Sequence, residues 1–310
     1  MRIWRAFDDV PDDLGPTVVT IGNFDGVHRG HQHLVARARE VADRDGLRLV
    51  AVTFDPHPMA VLRPEHAPQQ LTDLPTRARL LARAGVDDVL AIPFSREIAA
   101  WSPEQFIGRV LVDTLRARAV VVGANFRFGS RAAGDVGTLA SYGDLHVEGL
   151  PLEGGPQVWS STYVRTCLVA GDVEGAAEAL GHPYGVVGTV ARGDGRGRDL
   201  GFPTANVPVG GAAVPADGVY AGWLRVLDPE GEPLPAAISV GTNPTFEGER
   251  GRRVEAYVLD RDDLDLYDLS VEVSFVARIR GMARFDGPEA LVAAMADDVA
   301  RCRELLAGET

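Results

Sequence analysis

Apolar and polar positions divide the chain into two textures. In the first half, short runs of β-branched and aliphatic residues at 17–21, 47–54, 89–94 and 119–123 read as strands. Between them, apolar residues recur at helical spacing over about 31–45, 76–85 and 103–115. The last of these opens with Ser102-Pro103-Glu104-Gln105, a capping-box spacing with proline at the first helical position. Strand–helix alternation predicts a parallel sheet covered by helices. Ligands of such sheets bind beyond the carboxyl ends of the strands, so Gly22 onward and the segment after Gly123 are expected to share a site. A helical stretch ends near Gly181, and His182-Pro183 marks a boundary. Beyond it, strand-like runs at 186–191, 219–227, 236–240, 253–259 and 270–279 follow one another closely, one pair joined by the turn Asp228-Pro229-Glu230-Gly231. Strands without intervening helices predict an antiparallel barrel. A final helix after Pro288 carries Leu291, Met295, Cys302 and Leu306 on one stripe. The expected organisation is an α/β domain over 1–182 and a β-barrel domain with a C-terminal helix over 183–310.

Composition narrows the chemistry. A formal charge of −13 disfavours nucleic-acid partners, which usually require a basic surface. No apolar run reaches the length of a membrane span, and the first residues lack the pattern of a signal peptide. Cys167 and Cys302 lie far apart and suggest a reducing compartment, so the expected location is cytoplasmic. The chain could act alone or as a homo-oligomer. All 31 basic side chains are arginine, because the sequence contains no lysine. That excludes lysine Schiff-base chemistry and a Walker A lysine. Any nucleotide must be held by arginine, histidine, backbone amides and metal.

Two constellations could do so. The segment from Gly22 to His31, Gly-Asn-Phe-Asp-Gly-Val-His-Arg-Gly-His, follows the first strand directly. Gly22, Gly26 and Gly30 permit sharp turns and close ligand approach, and a helix starting near Gly30 offers free N–H groups to a phosphate. His28 and His31 can both donate to phosphate oxygens. The same residues with His33 and His57 could instead be read as a metal cluster, and hence a metal-dependent hydrolase. In the second half, the stretch from Gly188 to Gly201 holds Gly193, Gly195 and Gly197 and could cradle an anion or form a flexible hairpin. It leads into Phe202-Pro203-Thr204-Ala205-Asn206, where the Thr204 hydroxyl and Asn206 carbonyl are hard oxygen donors suited to Mg²⁺. Glu255 sits in a strand with largely apolar faces. A carboxylate there is either paired with Arg252 or Arg253 or poised for proton transfer.

These stretches carry a resemblance. The HxGH pattern of His28 to His31 resembles the nucleotidyltransferase superfamily. Thr53-Phe54-Asp55-Pro56-His57-Pro58, Val122-Gly123-Ala124-Asn125-Phe126-Arg127-Phe128-Gly129 and Ser160-Ser161-Thr162-Tyr163-Val164-Arg165 narrow the match to the prokaryotic bifunctional riboflavin kinase/FMN adenylyltransferase family, also called FAD synthetases. The run from Gly188 to Asn206 and Gly241-Thr242-Asn243-Pro244-Thr245-Phe246 are similar to its kinase module. The resemblance implies a Rossmann-like nucleotidyltransferase domain and a riboflavin kinase barrel, with riboflavin, FMN, FAD and ATP as ligands and Mg²⁺ as cofactor. It implies that Gly22, Asn23, Phe24, Asp25, Gly30, Asn125, Ser161 and Thr162 hold ATP, with His28, His31 and Arg165 catalytic. Ser161 and Thr162 are expected to cap a helix. Phe54, Pro56 and Phe128 would wall the flavin ring. In the kinase module Gly193, Gly195, Gly197, Thr204 and Asn206 would hold ATP and metal, with Glu255 as base for the ribityl 5′-hydroxyl. Asp265-Leu266-Tyr267-Asp268 departs from the family by an Asp in place of glycine, so a different turn is expected there. A flavin- or nucleotide-binding regulator would require losses among the catalytic positions, and none is missing.

Overall fold

The computed structural model describes residues 1–143, 145–151, 159–192, 197, 200–242, 252–261 and 263–308. They form two compact units, Met1–Ser160 and Ser161–Thr310.

The first unit is built on six parallel strands: β1 (Arg2–Trp4), β2 (Thr17–Ile21), β3 (Arg48–Asp55), β4 (Asp88–Pro93), β5 (Ala117–Gly123) and β6 (His146–Leu150). Their order across the sheet is β1-β4-β3-β2-β5-β6. Every residue of β2 is buried, as a strand covered on both faces must be. One apolar layer gathers Val19, Val52, Ile92 and Val122 with Phe106, Ile107 and Leu111. The other gathers Val18, Leu49, Ala51 and Val121 with Leu34, Val35 and Ala38 from the helix Arg29–Asp45. Chain order reverses between β2 and β5, so the crevice beyond Ile21 and Gly123 is the switch point of the sheet. The expected helix over 103–115 is α-helical only at Pro103–Phe106, with the capping box between Ser102 and Gln105 in place. It continues as a π-helix over Ile107–Thr114.

The second unit is a six-stranded antiparallel barrel in the order β7-β12-β9-β10-β11-β8. Its strands are β7 (Tyr184–Thr189), β8 (Ala205–Pro208), β9 (Gly218–Val226), β10 (Leu234–Thr242), β11 (Arg252–Val258) and β12 (Ser270–Gly281). The outermost two meet through the bridge Ala191↔Asn206, in which the Ala191 N–H donates to the Asn206 carbonyl at 2.8 Å. The helix Pro288–Leu306 packs Val299, Cys302 and Leu306 over Ala221 and Leu259. The helices Ser161–Ala170 and Val173–Leu180 belong to this unit, although the change of texture in the sequence comes only at 182. Arg278 of β12 donates to the Ala170 carbonyl at 3.2 Å, so packing joins these helices to the barrel.

The barrel wall leaves no room at Gly222. A Cβ there would overlap the Ser274 carbonyl and lie 2.6 Å from Ile238 Cδ1. Backbone in a paired strand cannot step aside cheaply. Gly222→Ala is therefore expected to destabilise the second unit by about 3 kcal/mol, read as a shift in its denaturant midpoint.

Candidate active sites

In the first unit, the loop after β2 is shaped by backbone that most side chains avoid. Phe24 and Val27 hold φ at +49° and +43°. The Phe24 ring is fully buried and meets His31 edge-on with centroids 5.1 Å apart. Asp25, 1% exposed, accepts from the Leu71 and Thr72 N–H groups at 3.0 Å each, while the Gly26 N–H donates to Thr72 Oγ1 at 3.1 Å. Both residues were expected at the nucleotide, and both side chains are buried. The loop can turn this tightly only because they anchor it.

What the loop presents is the histidine pair. His28 is the N-cap residue of the helix Arg29–Asp45, and its ring stacks on that of His31 at 3.7 Å between centroids. Gly30 makes this possible, since a Cβ there would press on the His28 ring at 3.2 Å. The Nδ1 atoms of both rings are buried and have no hydrogen-bond partner. Burial pushes the His28 pKa down to about 4, against the raising effect of Asp25. Burial, then His28 and Arg77, hold His31 well below the ordinary histidine value. Two neutral imidazoles thus stand at a helix start with open ring nitrogens. Among the described residues, no group of three or more His, Cys, Asp or Glu side chains is placed to hold a metal ion.

The other residues expected at this site are divided between the two units. Asn125 is exposed beyond β5, with its Oδ1 close over Gly123, and Asn23 is exposed beyond β2. Phe54 is half-buried against Phe94, and Pro56 is exposed. Phe128, expected to line a flavin site, is 6% exposed and lies in the core, with Phe126 stacked on it at 5.5 Å. Phe126 is the half-exposed ring of the pair, so it and not Phe128 has surface to offer. Arg77 gave no signal in the sequence, yet it is a nearly buried arginine at the back of this site. Ser161, Thr162 and Arg165 lie on the first turns of Ser161–Ala170 in the second unit. The helix begins at Ser161, so Ser161 and Thr162 are its first residues.

In the barrel, Glu255 of β11 sits directly across from Asn206 of β8 and from Ser239 of β10. The expected alternative of an ion pair with its neighbouring arginines is not formed. Arg252 turns to Asp217 at 3.2 Å and to the Val214 and Pro215 carbonyls. Glu255 and Thr204 line a pocket of about 270 Å³ with apolar walls from Phe202, Tyr257 and Phe285. Arg280, paired with Asp298 at 2.7 Å, closes its far side, a contribution with no sequence motif behind it. Thr204 also borders a second pocket of about 390 Å³ that holds Arg261, Leu266 and Tyr267. Asn206 Oδ1 is buried without a hydrogen-bond partner. At Gly197 a Cβ would lie 2.5 Å from the Phe202 carbonyl, so the loop can close there only on glycine. Gly193, Gly195 and the segment from Asn243 to Phe246 lie outside the described residues. Asp268 holds φ at +62°, a left-handed backbone that ordinarily favours glycine.

A parallel sheet with a histidine pair beyond its switch point, and a nearly closed antiparallel barrel with a carboxylate across from a buried, unpartnered amide oxygen, have the architecture of a two-unit nucleotide-dependent transferase. Comparison with known proteins makes this specific. The FAD synthetase family matches residues 10–153 and the riboflavin kinase family residues 180–306. The bifunctional riboflavin kinase/FMN adenylyltransferase of Escherichia coli K12 is 39% identical over 93% of this chain and 92% of its own. That of Pseudomonas fluorescens is 37% identical over 99% and 98%. A crystal structure described as a macrolide-efflux protein from Streptococcus pneumoniae superposes with a TM-score of 0.86 at 32% identity, covering 97% of this chain and 98% of that one. Among the described residues no helix is long and apolar enough to cross a membrane. The chain belongs to the bifunctional riboflavin kinase/FMN adenylyltransferase family.

The burial of His28 has a consequence for stability. Unfolded, this imidazole takes a proton near pH 6.5, and folded only near 4. The unfolded chain therefore binds more protons between these values, and stability present above pH 6.5 is lost as pH falls toward 4. A shift of this size corresponds to about 3 kcal/mol. Denaturant titrations at pH 7 and pH 4.5 should show the wild type losing about 2–3 kcal/mol more than His28→Gln. Equal losses would mean that His28 is not held neutral.

Proposed function

We propose that the two sites work in sequence, the barrel converting riboflavin and ATP to FMN and ADP, and the α/β unit converting FMN and ATP to FAD and pyrophosphate. The observation that carries this reading is that each unit buries polar atoms without partners: the Nδ1 atoms of His28 and His31 in one, Asn206 Oδ1 in the other. Buried polar atoms are ordinarily satisfied, so such atoms beside a crevice favour a ligand that completes them.

In the kinase reaction, the pocket with apolar walls suits the flat flavin, and the second pocket at Thr204 suits the nucleotide. Glu255 accepts the proton of the ribityl 5′-hydroxyl as that oxygen bonds to the γ-phosphorus and ADP departs. The Thr204 hydroxyl and the Asn206 side-chain oxygen are the groups that would hold Mg²⁺, and the orphaned Asn206 oxygen fits a hard cation. When bound, the ion supplies charge neutralisation at the phosphates. In adenylyl transfer, an FMN phosphate oxygen attacks the α-phosphorus of ATP and pyrophosphate leaves. His28 and His31 donate to the phosphate oxygens as charge builds there. The helix Arg29–Asp45 has no side-chain cap, so its first N–H groups are free to bind the same anion. Asn23 and Asn125 are exposed at the strand ends, where the nucleotide would lie, and Phe54 with Pro56 borders the flavin. For Ser161, Thr162 and Arg165, support comes from their place on the opening turns of a helix in a chain with no lysine.

The two activities should be separable by mutation. His28→Ala is expected to leave FMN formation unchanged and to slow FAD formation by about 10²–10³. Glu255→Ala should slow FMN formation by about 10²–10⁴ and still adenylylate supplied FMN. Each variant is assayed for both reactions, with circular dichroism to check folding. A folded His28→Ala variant that loses both activities equally would refute separate sites.

A further inference from the structure

The adenylyl-transfer reading leaves one buried cation unexplained. Arg77 lies in the helix Leu74–Arg83 and is 2% exposed, although its guanidinium is permanently charged. Arginine is rarely buried to that degree unless paired. None of its recorded hydrogen bonds goes to a carboxylate. One donor goes to Thr53 Oγ1 at 3.2 Å and to the Phe54 carbonyl at 3.3 Å, and another to the Thr72 carbonyl at 3.1 Å. Its Nε is buried without a partner.

Those acceptors belong to the segments that shape the site. Thr53 Oγ1 donates in turn to the Asn23 carbonyl at 3.0 Å, inside the loop after β2. Thr72 receives the Gly26 N–H, and its own N–H goes to Asp25. Arg77 therefore bonds directly to the end of β3 and the 71–72 segment, and through Thr53 and Thr72 it reaches the histidine loop in two hydrogen-bond steps. We infer that Arg77 is a positioning residue for adenylyl transfer: its guanidinium fixes the histidine loop and holds a permanent positive charge behind His28 and His31. The inference rests on the reading of this site as the place of FAD formation.

The charge has a direction of action. The charged or titratable groups that act on His31 are His28 and Arg77, and both hold it toward the neutral form. Asp25 acts on His28 and on Arg77, and Asp55 and Asp73 act on Arg77 as well. Removing the Arg77 charge therefore makes His31 easier to protonate. A purely structural strut would not do that.

Two full-length variants test the inference, Arg77→Met and Arg77→Lys, the second keeping charge and stem without the fork. Each is assayed for kcat and KM of FAD formation, with FMN formation in the same chain as the control. Histidine ring carbons are titrated by NMR. For Arg77→Met we expect kcat of FAD formation to fall by about 10², FMN formation to stay within about twofold, and the His31 titration to move to higher pH. For Arg77→Lys, most of the rate should return and His31 should again titrate low. The inference is overturned if Arg77→Met keeps FAD formation within about threefold, or if its His31 titration is unmoved. If Arg77→Met does not fold, Arg77→Lys decides alone: a folded Lys variant as slow as a His28→Ala control overturns the role of the charge. A His28→Ala control that still makes FAD at the normal rate would instead refute the site reading beneath it.

Discussion

A polar atom kept out of water with no partner costs a fold about 1–3 kcal/mol. This chain carries that cost at His28 Nδ1, His31 Nδ1 and Asn206 Oδ1, and a rigid frame is what makes it bearable. In the α/β unit the frame is a turn locked from below. Asp25 accepts backbone N–H groups of 71 and 72, and Phe24 fills the space under the loop. The histidine rings can then stack at the helix start without relaxing toward solvent. In the barrel the frame is closure itself. Asn206 joins Ala191 through its backbone, which leaves its side chain across the strand from Glu255.

The same logic explains how a lysine-free chain can handle triphosphates. On the proposed reading, neutral imidazoles, helix N–H groups and arginine replace the mobile ammonium group. These are directional donors with little freedom, so their placement matters more than their number. Burial also keeps the imidazoles uncharged in the free protein, which favours them as hydrogen-bond donors over counter-ions. A phosphate arriving beside them would pull their affinity for protons upward again.

Much of this was legible in the sequence, for physical reasons. The central strands of the first unit are buried on both faces, so they read as aliphatic runs with no ambiguity of period. β1 and β6 did not: one has three residues, and the other includes exposed His146 and Gly149. β8 was hidden inside the Pro203-Thr204-Ala205-Asn206 stretch, whose chemistry drew attention from its backbone. Among the proposed site residues, motifs singled out the histidines, Thr204, Asn206 and Glu255. Motifs could not separate a residue that touches a ligand from one that shapes the loop. Phe24, Asp25 and Phe128 are buried in the free protein, which no motif could announce. Arg77, Arg280 and Asp298 were invisible for the opposite reason, since their partners are distant in sequence and no local spacing announces them.

The central claim is that one chain carries riboflavin through FMN to FAD. The direct measurement is a time course of the purified protein with riboflavin, ATP and Mg²⁺, its flavins separated by chromatography. The account predicts that FMN accumulates first and FAD appears at its expense, with one ATP converted to ADP and a second to pyrophosphate per FAD. Riboflavin left unchanged, or FMN formed with no FAD following, would contradict it.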